Sequence, residues 1–293
     1  MNLLVTGASG FIGHHLLSAL LDQGHQVTVT VHSQKPQVPT NLSNGRLNLI
    51  YGDLASGLQL PDNLDAVIHT AARSAWPGVT ASSIVMSNVL ATDHLVRHAK
   101  NTGVGLFIFL SSLSVYGKIR SPIVDEKTSI LDPEIYGLSK RIGEQLLEDE
   151  ADLLPSISVR LPGVIGRGSV RNWLTRVMQA SQAGEEIVAY NPEVSFNNAI
   201  HVADLVEFIC DLLGCSWRGA EIVTIAAAGE LRIKDAIGLL VKSFGGRSRV
   251  RFKESNNESF IVSSSRAVQL FGYDPMPIDE ILHRFATENR VRI

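Results

Sequence analysis

Tyr136 and Lys140 lie four residues apart in a stretch of helical apolar spacing, so both side chains face the same way. A free phenol, with a pKa of about 10, is a poor acid–base catalyst at neutral pH. An ammonium group beside it favours the phenolate, and a further cation nearby brings it into working range. Ser112, where an apolar run ends, carries a hydroxyl that could steady an oxygen as charge develops on it. Alone, a tyrosine and a lysine at this spacing are an ordinary surface pair. A second pattern, at the start of the chain, gives them a chemical partner.

Met1–Gly13 reads MNLLVTGASGFIG, and His14 to Leu21 continues with helix formers. The apolar run Leu3-Leu4-Val5 suits a buried parallel strand, and the residues after Gly10 suit a helix. Gly7 permits the bend out of the strand. Gly10 lets backbone N–H groups approach a phosphate, and Gly13 lets the helix lie against the sheet. A pyrophosphate placed there meets unpaired amides and the positive end of the helix dipole. Strand, glycine turn and helix together predict dinucleotide binding. An oxidised nicotinamide is then the further cation near Tyr136, and hydride transfer the other half of the chemistry.

The 293 residues suffice for one large α/β domain or one and a half smaller ones. A hydrophobic content of 45% can supply a real core, and a net charge of −3 offers no basic face to nucleic acid or an anionic membrane. Cys210 and Cys215 are too few for a disulfide framework or a zinc site and read as reduced thiols. His14-His15 and His94/His98 have helical spacing but no third ligand, so no metal site is expected. His69 and His201 read as structural histidines. The N-terminus has no basic lead-in and holds three glycines in a turn, unlike a signal peptide. No apolar run approaches the ~20 residues of a membrane span. The expectation is a soluble cytoplasmic protein with no membrane or nucleic-acid partner.

Further strands are predicted at Val27–Val31, Leu47–Tyr51, Ala66–His69, Leu106–Leu110 and Ile157–Leu161, with helices over Ser83–Lys100 and Pro133–Glu150. This alternation predicts right-handed βαβ units and a doubly wound parallel α/β sheet, Rossmann-like in plan. After Pro162 the rhythm fades: a loop over Gly163–Gly168, helices over Asn172–Ala183, His201–Leu213, Leu231–Phe244 and Pro277–Asn289, one strand within Glu186–Asn197 and a returning strand at Glu221–Ile225. The expected domains are a dinucleotide-binding domain over 1–165, with 200–227 returning to it, and a smaller C-terminal substrate-binding lobe from 166–199 and 228–293. The small or polar signals fall at strand ends, where open parallel sheets bind ligands: Gly7-Gly10-Gly13, His32, Asp53, Ala71-Ala72, Ser111-Ser112 and Pro162-Gly163.

The segments TGASGFIG (6–13), GDL (52–54), IHTAA (68–72), SSLSVYG (111–117), YGLSK (136–140) and IHVAD (200–204) resemble the extended short-chain dehydrogenase/reductase family, and within it the NAD-dependent epimerase/dehydratase group. The resemblance implies Ser112, Tyr136 and Lys140 as the catalytic set, with Lys140 also holding the nicotinamide ribose. It implies cofactor contacts from Gly7, Ser9, Gly10, Phe11, Ile12 and Gly13, from Asp53 and Leu54 at the adenine, and from Ala71, Ala72, Pro162 and Val164. Asn88 would sit near the substrate, and helices near 85–100 and 133–150 would form a homodimer.

Four departures from the family pattern matter. The end of the second strand, Thr30-Val31-His32-Ser33, lacks the acid that holds the ribose hydroxyl in NAD-preferring members. His32, Ser33 and Lys35 could instead accept a 2′-phosphate, so the lean is to NADP over NAD. Ser112-Leu113-Ser114 stands where dehydratases of the group show Thr-Asp-Glu, which argues against 4,6-dehydration. The diphosphate arginine of nucleotide-sugar members is replaced by Asn197, and the usual asparagine after the sixth strand by Gly163. Arg167, Arg171, Arg176, Arg249 and Arg251 are the substitutes available, with Arg171 and Trp173 the pair expected at the substrate.

The expected function is an NAD(P)-dependent epimerase or reductase working on a sugar carbonyl or hydroxyl, with a nucleotide-activated sugar as substrate. The alternatives are a reductase of a smaller carbonyl compound and a cofactor-sensing binding protein without turnover.

Overall fold

β1 (Asn2–Thr6) is buried on four of its five residues, as an apolar strand inside a sheet must be. The structure, a computed structural model, describes residues 1–36, 45–170, 172–255 and 259–290. Contacts divide the chain into two units: Met1–Lys118 with Ser129–Arg160 and Val206–Val223, and Ile119–Thr128 with Leu161–Leu205 and Thr224–Ile293.

In the first unit, β1 leads through the glycine turn into α1 (Phe11–Asp22), then β2 (Gln26–Val31), β3 (Leu47–Tyr51) and β4 (Ala66–His69). The next helix comes in two pieces, α2 (Ala81–Ile84) and α3 (Ala91–Thr102), joined by a π-helical stretch, Val85–Leu90. β5 (Leu106–Ser112) comes next and ends in a 3₁₀ turn, Leu113–Tyr116. After β6 (Ile123–Val124), which belongs to the second unit, come α4 (Ile135–Glu148) and β7 (Ser156–Leu161). The central sheet has seven strands in the order β12-β7-β5-β4-β1-β2-β3, where β12 is Ala220–Thr224. β1 pairs in parallel with both β2 and β4, so the order reverses there, which opens a crevice at the carboxyl ends of these strands. Leu4, Val67, Phe107 and Phe109 on the strands pack against Leu95, Val96 and Ala99 of α3 and Leu147 of α4 in one core cluster.

In the second unit, β8 (Gly163–Ile165) pairs in parallel with β11 (Ala199–His201), correcting the loop expected over 163–168. Two three-residue strands are too short to show an alternation pattern. The strand expected within Glu186–Asn197 is two, β9 (Ile187–Tyr190) and β10 (Ser195–Phe196), separated by a turn in which Asn191 has φ +51°. β10 pairs with β13 (Leu231–Arg232), β9 with β14 (Val250–Lys253), and β6 with β15 (Ile261–Val262). The helices are α5 (Trp173–Ala183), α6 (Val202–Leu213, whose last eight residues fall in the first unit), α7 (Ile233–Ser243), α8 (Ser265–Phe271) and α9 (Ile278–Glu288). Leu174, Val177, Ile237, Leu240, Ile281 and Phe285 form its core. Among the described residues no helix is long and apolar enough to cross a membrane, and no cluster of metal-ligating side chains exists.

Candidate active site

The glycine turn is built as its spacing predicts. Gly7 has φ +74°, and a Cβ on it would lie 2.7 Å from the Ala71 amide nitrogen. A Cβ on Gly13 would lie 2.2 Å from the Gly7 carbonyl oxygen, so neither position tolerates a side chain. The N-cap of α1 is Gly10, which has no side chain to cap the first amides. Ser9 and Gly10 are exposed, and Phe11 and Ile12 half-buried, at this open helix start. A cradle that a Cβ would fill, facing uncapped amides, fits the pyrophosphate of a dinucleotide.

At the end of β5, Ser112 Oγ accepts the Ser114 amide at 3.1 Å and hydrogen-bonds the Tyr136 phenol. α4 approaches this turn closely because Gly137 comes directly after Tyr136: a Cβ there would lie 2.0 Å from the Ser114 carbonyl. Burial raises the Tyr136 pKa, and the Ser112 hydrogen bond pulls it back down. Lys140, one turn further on, is buried and donates to the Leu110 carbonyl at 2.8 Å, its Nζ 4.6 Å from the Phe109 ring centroid. Burial pulls its pKa down to about 7, against the Glu144 carboxylate, which raises it. The three expected catalytic residues are therefore brought together within the first unit.

Behind them runs a polar line the sequence did not reveal. The Ala71 amide donates to Thr6 Oγ1 at 3.2 Å, and Thr6 Oγ1 meets His69 Nδ1 at 2.6 Å. His69 Nε2 meets Thr92 Oγ1 at 2.9 Å, and Thr92 donates to the Asn88 carbonyl at 2.5 Å. Since the Thr92 proton goes to that carbonyl, Thr92 must accept from Nε2–H, which leaves Nδ1 to accept from Thr6. The imidazole is thus neutral with one tautomer. Burial, then the Lys140 charge, lowers its pKa to about 3. Asn88 is buried and donates to the Arg73 carbonyl at 3.0 Å and to Ser139 Oγ at 3.0 Å, while its Oδ1 accepts the Arg73 amide at 2.7 Å. Both its N–H bonds are therefore taken by protein, and one acceptor lone pair is what it can offer a ligand.

At the other end of the crevice, His32 Nδ1 lies 3.6 Å from Asp53 Oδ1, and both side chains are exposed. Asp53 also accepts the Ala55 amide at 3.0 Å, and Leu54 is buried in the core. Ser33, Lys35 and Ala72 are exposed and Ala71 half-buried.

The remaining expected residues lie in the second unit. Pro162 precedes β8, and Val164 pairs with Ile200. Trp173 packs edge-to-face on Phe196 at 5.2 Å. Arg171 lies outside the described residues. Asn197 is buried and knits the chain: its Nδ2 donates to the Val262 and Ala227 carbonyls at 2.8 and 3.1 Å, and its Oδ1 accepts the Val262 amide at 2.8 Å. Where Gly163 lacks a side chain, Asn172 supplies one. Its Nδ2 lies 2.1 Å from where a Gly163 Cβ would be, while its Oδ1 caps α5 by accepting the Leu174 amide at 2.8 Å. Of the arginines considered as substitutes, Arg251 is paired with Glu186 at 3.2 Å.

The NAD dependent epimerase/dehydratase family model matches residues 3–225. An uncharacterized UDP-glucose epimerase, YtcB, of Bacillus subtilis (strain 168) is 28% identical over 94% of this chain and 93% of its own. A dTDP-glucose 4,6-dehydratase of Streptomyces griseus is 26% identical over 94% of this chain and 89% of its own. Among solved structures, UDP-glucuronic acid 4-epimerase from Bacillus cereus in complex with NAD superposes with a TM-score of 0.83 at 24% identity, covering 98% of each chain. With its seven-stranded sheet, its glycine turn and a family match across three quarters of its length, this chain belongs to the NAD dependent epimerase/dehydratase family.

Proposed function

We propose that the protein moves hydride and a proton at one carbon of a nucleotide-activated sugar, as a 4-epimerase or a 4-keto reductase, using NADP or NAD. The observation that carries the reading is the Ser112–Tyr136 hydrogen bond with Lys140 one helical turn away, at a strand end in the unit that also holds the uncapped glycine turn. The nicotinamide, when bound, supplies the hydride acceptor and donor. Tyr136 gives a proton to the substrate oxygen as it becomes a hydroxyl and takes one as it becomes a carbonyl. Ser112 holds that oxygen, and the Lys140 ammonium stabilises the phenolate. The amides of the glycine turn bind the pyrophosphate, and Asp53 the adenine. Asn88 braces the segment after β4 against α4 from the substrate side of the crevice.

An epimerase runs both directions within one binding event and consumes no cofactor, whereas a reductase consumes one per turnover. 4,6-Dehydration needs an acid and a base to expel a hydroxyl, and Leu113 and Ser114 supply neither. The second unit is proposed to recognise the sugar nucleotide, with Arg171 and Trp173 as contributors. At the end of β2 the absence of an acid and the presence of His32, Ser33 and Lys35 favour NADP. Asp53, 3.6 Å from His32, is the opposing charge. In the first unit Val85, Met86, Leu90 and Leu138 are exposed apolar groups on neighbouring helices, which supports a homodimer through this face.

Fluorescence titration with NADPH and NADH tests the cofactor, and tighter NADH binding overturns the preference. Thermal shift with UDP and dTDP, then turnover of UDP-glucose and related nucleotide sugars, tests the substrate class. Indifference to every nucleotide would favour a smaller carbonyl compound instead.

A further inference from the structure

Beneath the Tyr136–Lys140 face, α4 buries a carboxylate. Glu144, four residues after Lys140, is fully buried. Its Oε1 accepts from Ser111 Oγ at 2.6 Å and from Arg160 Nε at 2.8 Å, and its Oε2 accepts from Arg160 Nη2 at 2.7 Å. Arg160, buried on β7, donates its Nη1 to the Tyr116 hydroxyl at 2.9 Å and lies 4.8 Å from the Tyr116 ring centroid. Ser111 immediately precedes Ser112, and Tyr116 closes the 3₁₀ turn after it.

We infer that Glu144 is a positioning residue for the Ser112–Tyr136–Lys140 set: one buried carboxylate ties both flanks of Ser112 to the helix that bears the other two. The inference rests on the proposed role of that set. Stability alone does not account for the cluster. A buried, bidentate ion pair contributes little over apolar side chains of the same volume, because desolvation offsets its attraction. What apolar groups would not supply is direction. Ser111 and Ser112 alternate across β5, so gripping one hydroxyl from the core side aims the other into the crevice.

The cluster also sets the electrostatics around Lys140. From α4 itself Tyr136 and Glu144 face it, with Arg141 flanking Glu144 at 3.7 Å. From β4 comes neutral His69, from β5 the Leu110 carbonyl and the Phe109 ring, and behind Glu144 the Arg160 guanidinium and Tyr116 hydroxyl. Glu144 is the one anion in this group. Without its charge, two cations share a dry interior, and Lys140 gives up its proton more readily.

The test uses the full chain with ¹³C-lysine labelling, the Lys140 signal being identified by its loss in Lys140→Met. In Glu144→Gln the Lys140 titration midpoint is expected to fall by about one unit or more. An unchanged midpoint overturns the inference, and this readout needs no turnover. In parallel, turnover of UDP-glucose and the related nucleotide sugars is compared for wild type, Glu144→Gln, the apolar double variant Glu144→Leu/Arg160→Met, and Tyr136→Phe. The double variant strands no charge but removes partners of the buried Ser111 and Tyr116 hydroxyls, so it is expected to fold with a lowered thermal midpoint while kcat falls about 10- to 100-fold at unchanged KM. Wild-type kcat in a folded double variant overturns the inference. Wild-type kcat in Tyr136→Phe instead overturns the catalytic reading beneath it.

Discussion

The two units use buried polar groups for opposite ends. In the first, buried polar side chains surround the proposed catalytic set: Glu144 grips Ser111, His69 links Thr6 to Thr92, and Lys140 donates to the Leu110 carbonyl. In the second, buried or half-buried amide side chains tie the chain to itself. Asn197 laces Val262 to Ala227, and Asn172 fills the space over Gly163 while capping a helix. The buried polar groups of the first unit thus gather around the proposed Ser112, Tyr136 and Lys140 set, while those of the second bind loops and short strands together.

Four measurements put that contrast at risk. The largest effect is expected for Tyr136→Phe, which should lower kcat by about 10² to 10⁴-fold with NAD(P)H affinity unchanged. Cofactor titration and steady-state kinetics on the same preparation check it. Next, Asn197→Ala strands the Val262 amide and two carbonyls and should cost about 3 kcal/mol in urea unfolding. A cost under about 0.5 kcal/mol would mean Asn197 is not a tie.

The third is a pH effect. His69 has a folded pKa of about 3, below the ordinary 6.5, so the unfolded chain takes up its proton first as pH falls. Stability from this group is flat above pH 6.5 and lost below it, by about 1.4 kcal/mol per unit, until about pH 3. Lys140 runs in a different window. Its folded pKa of about 7 lies below 10.5, so its contribution rises as pH climbs from 7 toward 10.5. Unfolding free energies of wild type and His69→Gln at about pH 7 and about pH 5 should diverge, with the variant showing the flatter slope. The smallest effect is Asn172→Ala, expected to cost about 1 kcal/mol as a lost helix cap. A rise in KM for a nucleotide sugar beyond that loss would make Asn172 a recognition group as well.

The sequence displayed the central sheet, the glycine turn and the closeness of Tyr136 to Lys140 because each is written locally, as an apolar run, a glycine spacing or a pair one turn apart. The short strands β8 and β11 escaped because three residues carry no period. The Glu144–Arg160 pair joins side chains sixteen residues apart on different elements. Its only trace was an arginine within the apolar strand Ile157–Leu161, where a charge requires a partner. The Thr6–His69–Thr92 line left still less, since a threonine in a strand or helix is unremarkable until its neighbour across the fold is known.

The π-helical stretch at Val85–Leu90 has a cost and a use. An α-helix turns about 100° for each residue, so one extra residue rotates everything before it out of phase with everything after. Deleting a single residue there would restore regular hydrogen bonding and strengthen the helix. It would also swing the Asn88 amide off Arg73 and Ser139. At that one residue the chain gives up helical regularity and gains an amide that holds the segment after β4 to the helix bearing Ser139.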